Sequence, residues 1–289
     1  MALIEVNYIS KALMRTVEFR VVLPADKLQV GNETMPVKMP FKTLYLLHGG
    51  YGNNTDYISG TRIQRWAEEK NLAVIMPSGE NQFYVDKPET EEYYGAYVAQ
   101  ELVEFTRRIF PLSTKREDTF IAGLSMGGYG AIVNGLKYAD TFGYIGAFSA
   151  GLILDDIIEE TTLIKGIGWP SSFYDRVFAA KDKLKESDRD YCYLMSQLIE
   201  KKREIPKIYL AIGTEDFLYQ RNQEYRSFLK EKGVDFTYAE EPGSHEWDFW
   251  DRQLKRFIDW LPLDEACQGL NSGNVRCTEN INQEGEKNL

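Results

Sequence analysis

The chain has 289 residues, 43% of them hydrophobic and 27% charged, enough for one large domain with a full core. Its 44 acidic and 34 basic residues leave a formal net charge of −10, which argues against nucleic acid and anionic membrane surfaces as partners. No apolar stretch approaches the ~18 residues of a membrane span, residues 1–6 lack the features of a secretory leader, and three Cys without a CxxC spacing make neither a disulfide framework nor a zinc cluster, so a cytoplasmic protein is expected.

Two alternating runs, Leu3–Ile9 and Thr16–Leu23, predict an antiparallel pair at a sheet edge, with Pro24 ending the second. Residues 25–40 carry Gly31, Pro36 and Pro40 and read as a loop. Thr43–Leu47 is a continuous apolar run, the mark of a buried strand, and breaks into His48-Gly49-Gly50. Ile63–Lys70 reads as a helix, Leu72–Met76 as a strand and Phe83–Tyr94 as a polar and aromatic loop. Ala96–Ile109 has helical spacing at Val98, Leu102, Phe105 and Ile109.

Thr119–Leu124 is the next strand, with a helical pattern directly after it at Ala131–Leu136. Gly143–Ser149 follows as a strand. Residues 150–204 carry no strand pattern and read as short helices, clearest at Ile153–Glu160 and Tyr191–Lys202. Lys207–Gly213 is a strand, Gln220–Lys232 a helix, Val234–Glu241 a strand and Glu246–Leu261 the last helix, closed by Pro262. This alternation predicts an α/β fold: a mostly parallel, eight-stranded sheet with helices on both faces and a helical insertion after the sixth strand. The expected boundaries are 1–262 for the domain, 150–204 for the insertion or lid, and 263–289 for a polar tail.

The chain's centre is Gly123-Leu124-Ser125-Met126-Gly127, a G-x-S-x-G pentapeptide between strand and helix. That setting suits a nucleophile elbow, with glycines where strand and helix pass closely. An ordinary helix-capping Ser would give the same short pattern, so the remaining chain must supply a base, an acid and an oxyanion hole. A Ser hydroxyl needs an adjacent base, most often His. Only His48 and His245 exist, and only His245 follows Ser125, as the α/β-hydrolase order of Ser, acid and His demands. Asp216 ends the preceding strand and is the expected acid, with a helix N-cap as its plainer role. The Met126 N–H and the Gly50 N–H of the His48-Gly49-Gly50 turn are the expected oxyanion donors.

Leu46–Gly52, Gly123–Gly130, Gly213–Tyr219 and Gly243–Trp247 resemble the esterase D family, including tributyrin esterase-like proteins and acetyl, feruloyl and S-formylglutathione hydrolases of the α/β-hydrolase superfamily. The likeness covers residues 1–262. It implies a serine carboxylesterase that acts on short-chain acyl or hydroxycinnamoyl esters, small or saccharide-linked, through an acyl-enzyme. Ser125 is then nucleophile, His245 base and Asp216 acid, and no metal or cofactor is required. His48, Tyr51, Trp169 and Trp247 are expected at the substrate. Tyr84, Tyr93, Tyr94, Phe173 and Tyr174 either stack on substrate or pack the core. The alternatives are a thioesterase of the S-formylglutathione type, ranked lower because Cys192 lies in the insertion and the other two Cys in the tail, a carbohydrate-binding relative with weak activity, and a serine peptidase. Homo-oligomerisation is left open.

Overall fold

Strands buried on both faces read as unbroken apolar runs, and five such runs build the middle of the sheet. The computed structural model describes residues 1–26, 38–178 and 181–263, together with the backbone of 270–271 and 274–275. Its sheet strands are β1 (Ala2–Ser10), β2 (Arg15–Leu23), β3 (Lys42–Leu47), β4 (Leu72–Pro77), β5 (Thr119–Leu124), β6 (Tyr144–Phe148), β7 (Lys207–Gly213) and β8 (Phe236–Glu241). They lie in the order β1-β2-β4-β3-β5-β6-β7-β8. β2 is antiparallel to both neighbours, and β3 through β8 are mutually parallel. β1 alternates half-buried and exposed residues, as an edge strand packed on one face does. β4 and β5 are buried at every position.

Parallel strands put their C-terminal ends on one rim, where a doubly wound sheet places its ligands. Leu47 lies opposite Gly123, Leu124 opposite Phe148, and Glu241 opposite Gly213. The loops opened by His48, Ser125, Ser149, Thr214 and Pro242 therefore share that rim. The helix Met126–Lys137 runs back from it and is buried from Met126 to Leu136, the mark of a helix enclosed by protein on all sides. One core face holds this helix and the insertion; the other holds Ile63–Glu69 and Trp247–Trp260.

The eight strands and the insertion point lie where the sequence puts them. Residues 150–204 form Leu154–Glu159, Thr162–Gly166, Ser171–Phe178 and Tyr191–Glu200, with no strand among the described residues. Three details differ. The Phe83–Tyr94 segment contains a short ribbon, Asp86–Lys87 paired with Glu92–Tyr93. A five-residue helix at Asp56–Gly60 had no periodic signal. The Ala96–Ile109 helix contains a π turn at Tyr97–Glu101. Its extra residue rotates the following face, so Val103 and Thr106 are buried while Ile109 is 46% exposed. The expected loop at 25–40 and tail at 263–289 fall largely outside the described residues.

Candidate active site

β5 enters the elbow at Gly123 and the helix leaves at Gly127. A Cβ on Gly123 would sit 2.4 Å from the Gly127 carbonyl carbon, and one on Gly127 would sit 2.2 Å from Leu47 O. Both contacts are with backbone, so neither position admits a side chain. The carbonyls crowded by this approach have partners: Tyr57 OH donates to Leu47 O at 2.9 Å and Tyr84 OH to His48 O at 3.0 Å. Ser125 itself stands at φ 53°, ψ −118°, a conformation costing roughly 1–3 kcal/mol for a residue with a Cβ. Main-chain bonds hold it there: its N–H donates to Phe148 O, and its O accepts from Tyr129 and Gly151 N–H. Its side chain makes no capping bond to the helix, which sets aside the N-cap reading.

The hydroxyl instead meets His245: Ser125 Oγ lies 2.9 Å from Nε2, and His245 Nδ1 lies 2.9 Å from Asp216 Oδ2. The Asp216 side chain is fully buried. Its second oxygen accepts the Leu218 N–H at 2.8 Å, so the carboxylate has a partner on each side. The following helix begins at Tyr219 with Leu218 at its cap, so Asp216 is not its N-cap. Phe217 and Trp250 flank the imidazole at ring-centroid distances of 4.7 Å and 4.9 Å. Trp250 is pinned by Nε1–H donating to Ser149 Oγ at 3.1 Å. Glu215, adjacent to Asp216, turns away and accepts the Gly243 N–H.

Met126 supplies the first N–H of a helix, which has no intrahelical acceptor. The Gly50 N–H lies in the turn against Ser125; a Cβ on Gly49 would fall 3.5 Å from Ser125 Cβ. Among the described residues neither N–H meets a protein acceptor. The two glycines of this turn are required by packing. A Cβ on Gly50 would strike the Trp169 ring at 2.7 Å, and one on Gly49 would strike Leu124 Cδ1 at 2.5 Å. The left-handed residue of the turn is Tyr51, at φ 65°.

His48 corrects the expectation of a substrate contact. It is buried, and both ring nitrogens are used by backbone: Nδ1–H donates to Gly49 O at 2.7 Å, and Nε2 accepts the Gly79 N–H at 2.9 Å. It fastens the turn from beneath and does not line the cavity. Burial lowers its pKa below the usual histidine value. The unfolded chain therefore takes up a proton first, near pH 6.5. His48 thus contributes stability above pH 6.5 that is lost as pH falls toward its lower folded pKa, with a slope of at most ~1.4 kcal/mol per pH unit. In urea titrations across this range, His48→Gln should lose that component, and equal slopes for the two proteins would refute the assignment.

A cavity of about 640 Å³ opens over Ser125. Tyr51, Trp169 and Trp247 line it. Ile153, Leu163 and Ile167 of the insertion form an apolar wall, joined by Phe83 of the aromatic loop, by Phe217 within the Gly213–Tyr219 motif and by Asp56, for which the sequence held no signal. Tyr84, Tyr94, Phe173 and Tyr174 are core residues. Cys192 does not line the cavity, and burial, followed by Asp190, pushes its thiol up to about 12, far from a reactive thiolate. No helix among the described residues is long and apolar enough to cross a membrane.

Comparison with known proteins identifies the family. The Putative esterase family model matches residues 10–261. An acetyl esterase of Caldicellulosiruptor saccharolyticus is 43% identical over 261 residues, 90% of this chain and 98% of that protein. Fluorophosphonate-binding serine hydrolase F of Staphylococcus aureus, solved with substrate bound, is 33% identical with a TM-score of 0.79. An S-formylglutathione hydrolase of the same organism, solved as apoenzyme, is 32% identical with a TM-score of 0.77. Each of these two alignments covers 90% of this chain and 98% of the other.

Proposed function

Because this chain belongs to the esterase family and is a carboxylic ester hydrolase, we propose that Ser125, His245 and Asp216 carry its reaction, with the N–H groups of Gly50 and Met126 as oxyanion donors. The observation that carries this reading is the hydrogen-bonded line from Ser125 Oγ through both nitrogens of His245 to buried Asp216. His245 Nε2 takes the Ser125 proton as Oγ attacks the ester carbonyl. Charge then develops on the carbonyl oxygen, which the two N–H donors and the helix N-terminus stabilise. His245 returns the proton to the departing alcohol, leaving an acyl-Ser125. Water, deprotonated by the same nitrogen, hydrolyses it. Asp216 holds the Nδ1–H tautomer and offsets the charge of the imidazolium.

The acyl group we propose is short, with acetyl first. The apolar wall of Ile153, Leu163 and Ile167 suits such a chain, and the 43% identical relative is an acetyl esterase. A hydroxycinnamoyl ester also fits within about 640 Å³. A second reading, thioester hydrolysis of the S-formylglutathione kind, is favoured by the likeness to that hydrolase. A fluorophosphonate should label Ser125 and fail to label Ser125→Ala; labelling elsewhere would reject the nucleophile. Rates on S-formylglutathione and on an aryl acetate separate the two substrates, and we expect the aryl acetate to give the higher kcat/KM.

A further inference from the structure

A second groove, of about 430 Å³, leaves the catalytic cavity at the Gly50–Tyr51 edge and runs along the short helix Asp56–Gly60. Tyr51 and Trp247 are its aromatic residues, Thr55 and Ser59 supply hydroxyls, and Asp56 lines both groove and cavity. Trp247 lies against Gly60, where a Cβ would meet its ring at 2.5 Å. Tyr51 is 70% exposed. The half-buried Asp56 carboxylate is tucked against the turn: Oδ1 accepts the Asn53 N–H at 3.1 Å, and a Cβ on Gly52 would fall 1.9 Å from Oδ2. No Lys or Arg among the described residues lines either space, and none pairs with Asp56.

The reaction geometry says which half of the ester reaches this groove, given the Ser125–His245 reading above, on which the inference rests. The tetrahedral carbon bears Ser125 Oγ, an oxyanion directed at Gly50 and Met126, the acyl chain and the alcohol oxygen. The alcohol oxygen must face His245 Nε2, which gives it a proton as the C–O bond breaks. Trp247 follows His245 by two residues and packs on Trp250, which touches the imidazole at 4.9 Å. The acyl chain is left with the apolar wall of the insertion. We propose that the groove is the alcohol-side subsite, and that Asp56 makes it select uncharged or cationic leaving groups over anionic ones. An unpaired carboxylate repels an anion and attracts a cation, and electron-rich faces such as those of Tyr51 and Trp247 favour the cation further. Glutathione, with two carboxylates and one ammonium, is disfavoured on the same ground.

The test uses three acetate esters, meta-carboxyphenyl, phenyl and meta-trimethylammoniophenyl, each kcat/KM normalised to that ester's hydroxide rate. The wild type should favour the cationic over the anionic ester by about tenfold or more, the size expected of one charge at this range in a partly screened site. Asp56→Asn should cut that ratio several-fold, whatever it does to the common rate. Ser59→Lys, which adds a cation at an exposed position of the groove wall, should move the ratio toward the anion. A ratio unmoved by both variants, with hydrolysis still dependent on Ser125, overturns the subsite. Hydrolysis that survives in Ser125→Ala overturns the serine reading instead.

Discussion

Ser125→Ala is expected to lower kcat by about six orders of magnitude while leaving the protein folded, since removal of the nucleophile in such a constellation costs about that much. Only the oxyanion donors and substrate binding then act on the ester. The stability of this variant should stay close to wild type. Ala keeps the Cβ and therefore the strained backbone at φ 53°, and it loses one hydroxyl bond to a partly buried imidazole. Ser125→Gly separates strain from chemistry. It should be equally inactive yet more stable, by a net gain of about 1 kcal/mol, because relief of strain exceeds the added freedom of the unfolded chain. Urea unfolding of the three proteins beside their rates on an aryl acetate checks both halves. A Ser125→Ala enzyme within a hundredfold of wild type would remove Ser125 from the mechanism, and a Ser125→Gly protein less stable than Ser125→Ala would show that the backbone there is not strained.

Asp216→Asn should lower kcat by about 10⁴ with a far smaller change in KM. The carboxylate accepts on both oxygens, from His245 Nδ1–H and from Leu218 N–H. An amide keeps one acceptor and can keep the Leu218 bond. If its NH₂ faces the imidazole, Nδ1 must become the acceptor and Nε2 the protonated nitrogen, and Nε2–H cannot take the Ser125 proton. The group is buried, so water does not substitute for the lost acceptor. Loss of activity from a wrong tautomer differs from loss by unfolding, and the variant should keep its cooperative transition. Activity within tenfold of wild type would mean that His245 is oriented by something other than Asp216. The neighbouring Glu215 is the control: it bonds the Gly243 N–H, and Glu215→Gln should retain most of the rate.

Both predictions concern residues legible in the sequence, and the reason is physical. A nucleophile elbow forbids side chains at Gly123 and Gly127, because each faces backbone at under 2.5 Å. Two histidines leave one choice of base once chain order is applied. Asp216 is singled out as the candidate acid because β7 is an apolar run with a clear end. The mostly parallel sheet follows from the same alternation, while the placing of β4 between β2 and β3 is a finding of the structure. What was misjudged or missed depends on contacts between distant segments. His48 looked available to substrate, yet Gly79, 31 residues on, takes its Nε2. Nothing near Gly50 in the chain names its neighbour, yet Gly50 makes room for Trp169, more than a hundred positions away. The π turn at Tyr97–Glu101 cannot be told from an α-helix by apolar spacing, and it moved the buried face to Val103 and Thr106.

The sequence by itself therefore determined the order of strands and helices along the chain, the position of the G-x-S-x-G turn, and the candidates for base and acid, because periodicity, glycine sterics and chain order are local or combinatorial properties. Only the tertiary structure decided where His48, Trp169, Asp56 and Phe217 sit. Each placement is a through-space contact, created when loops from separate strand ends are brought to one rim, and no local pattern encodes which of their side chains will meet.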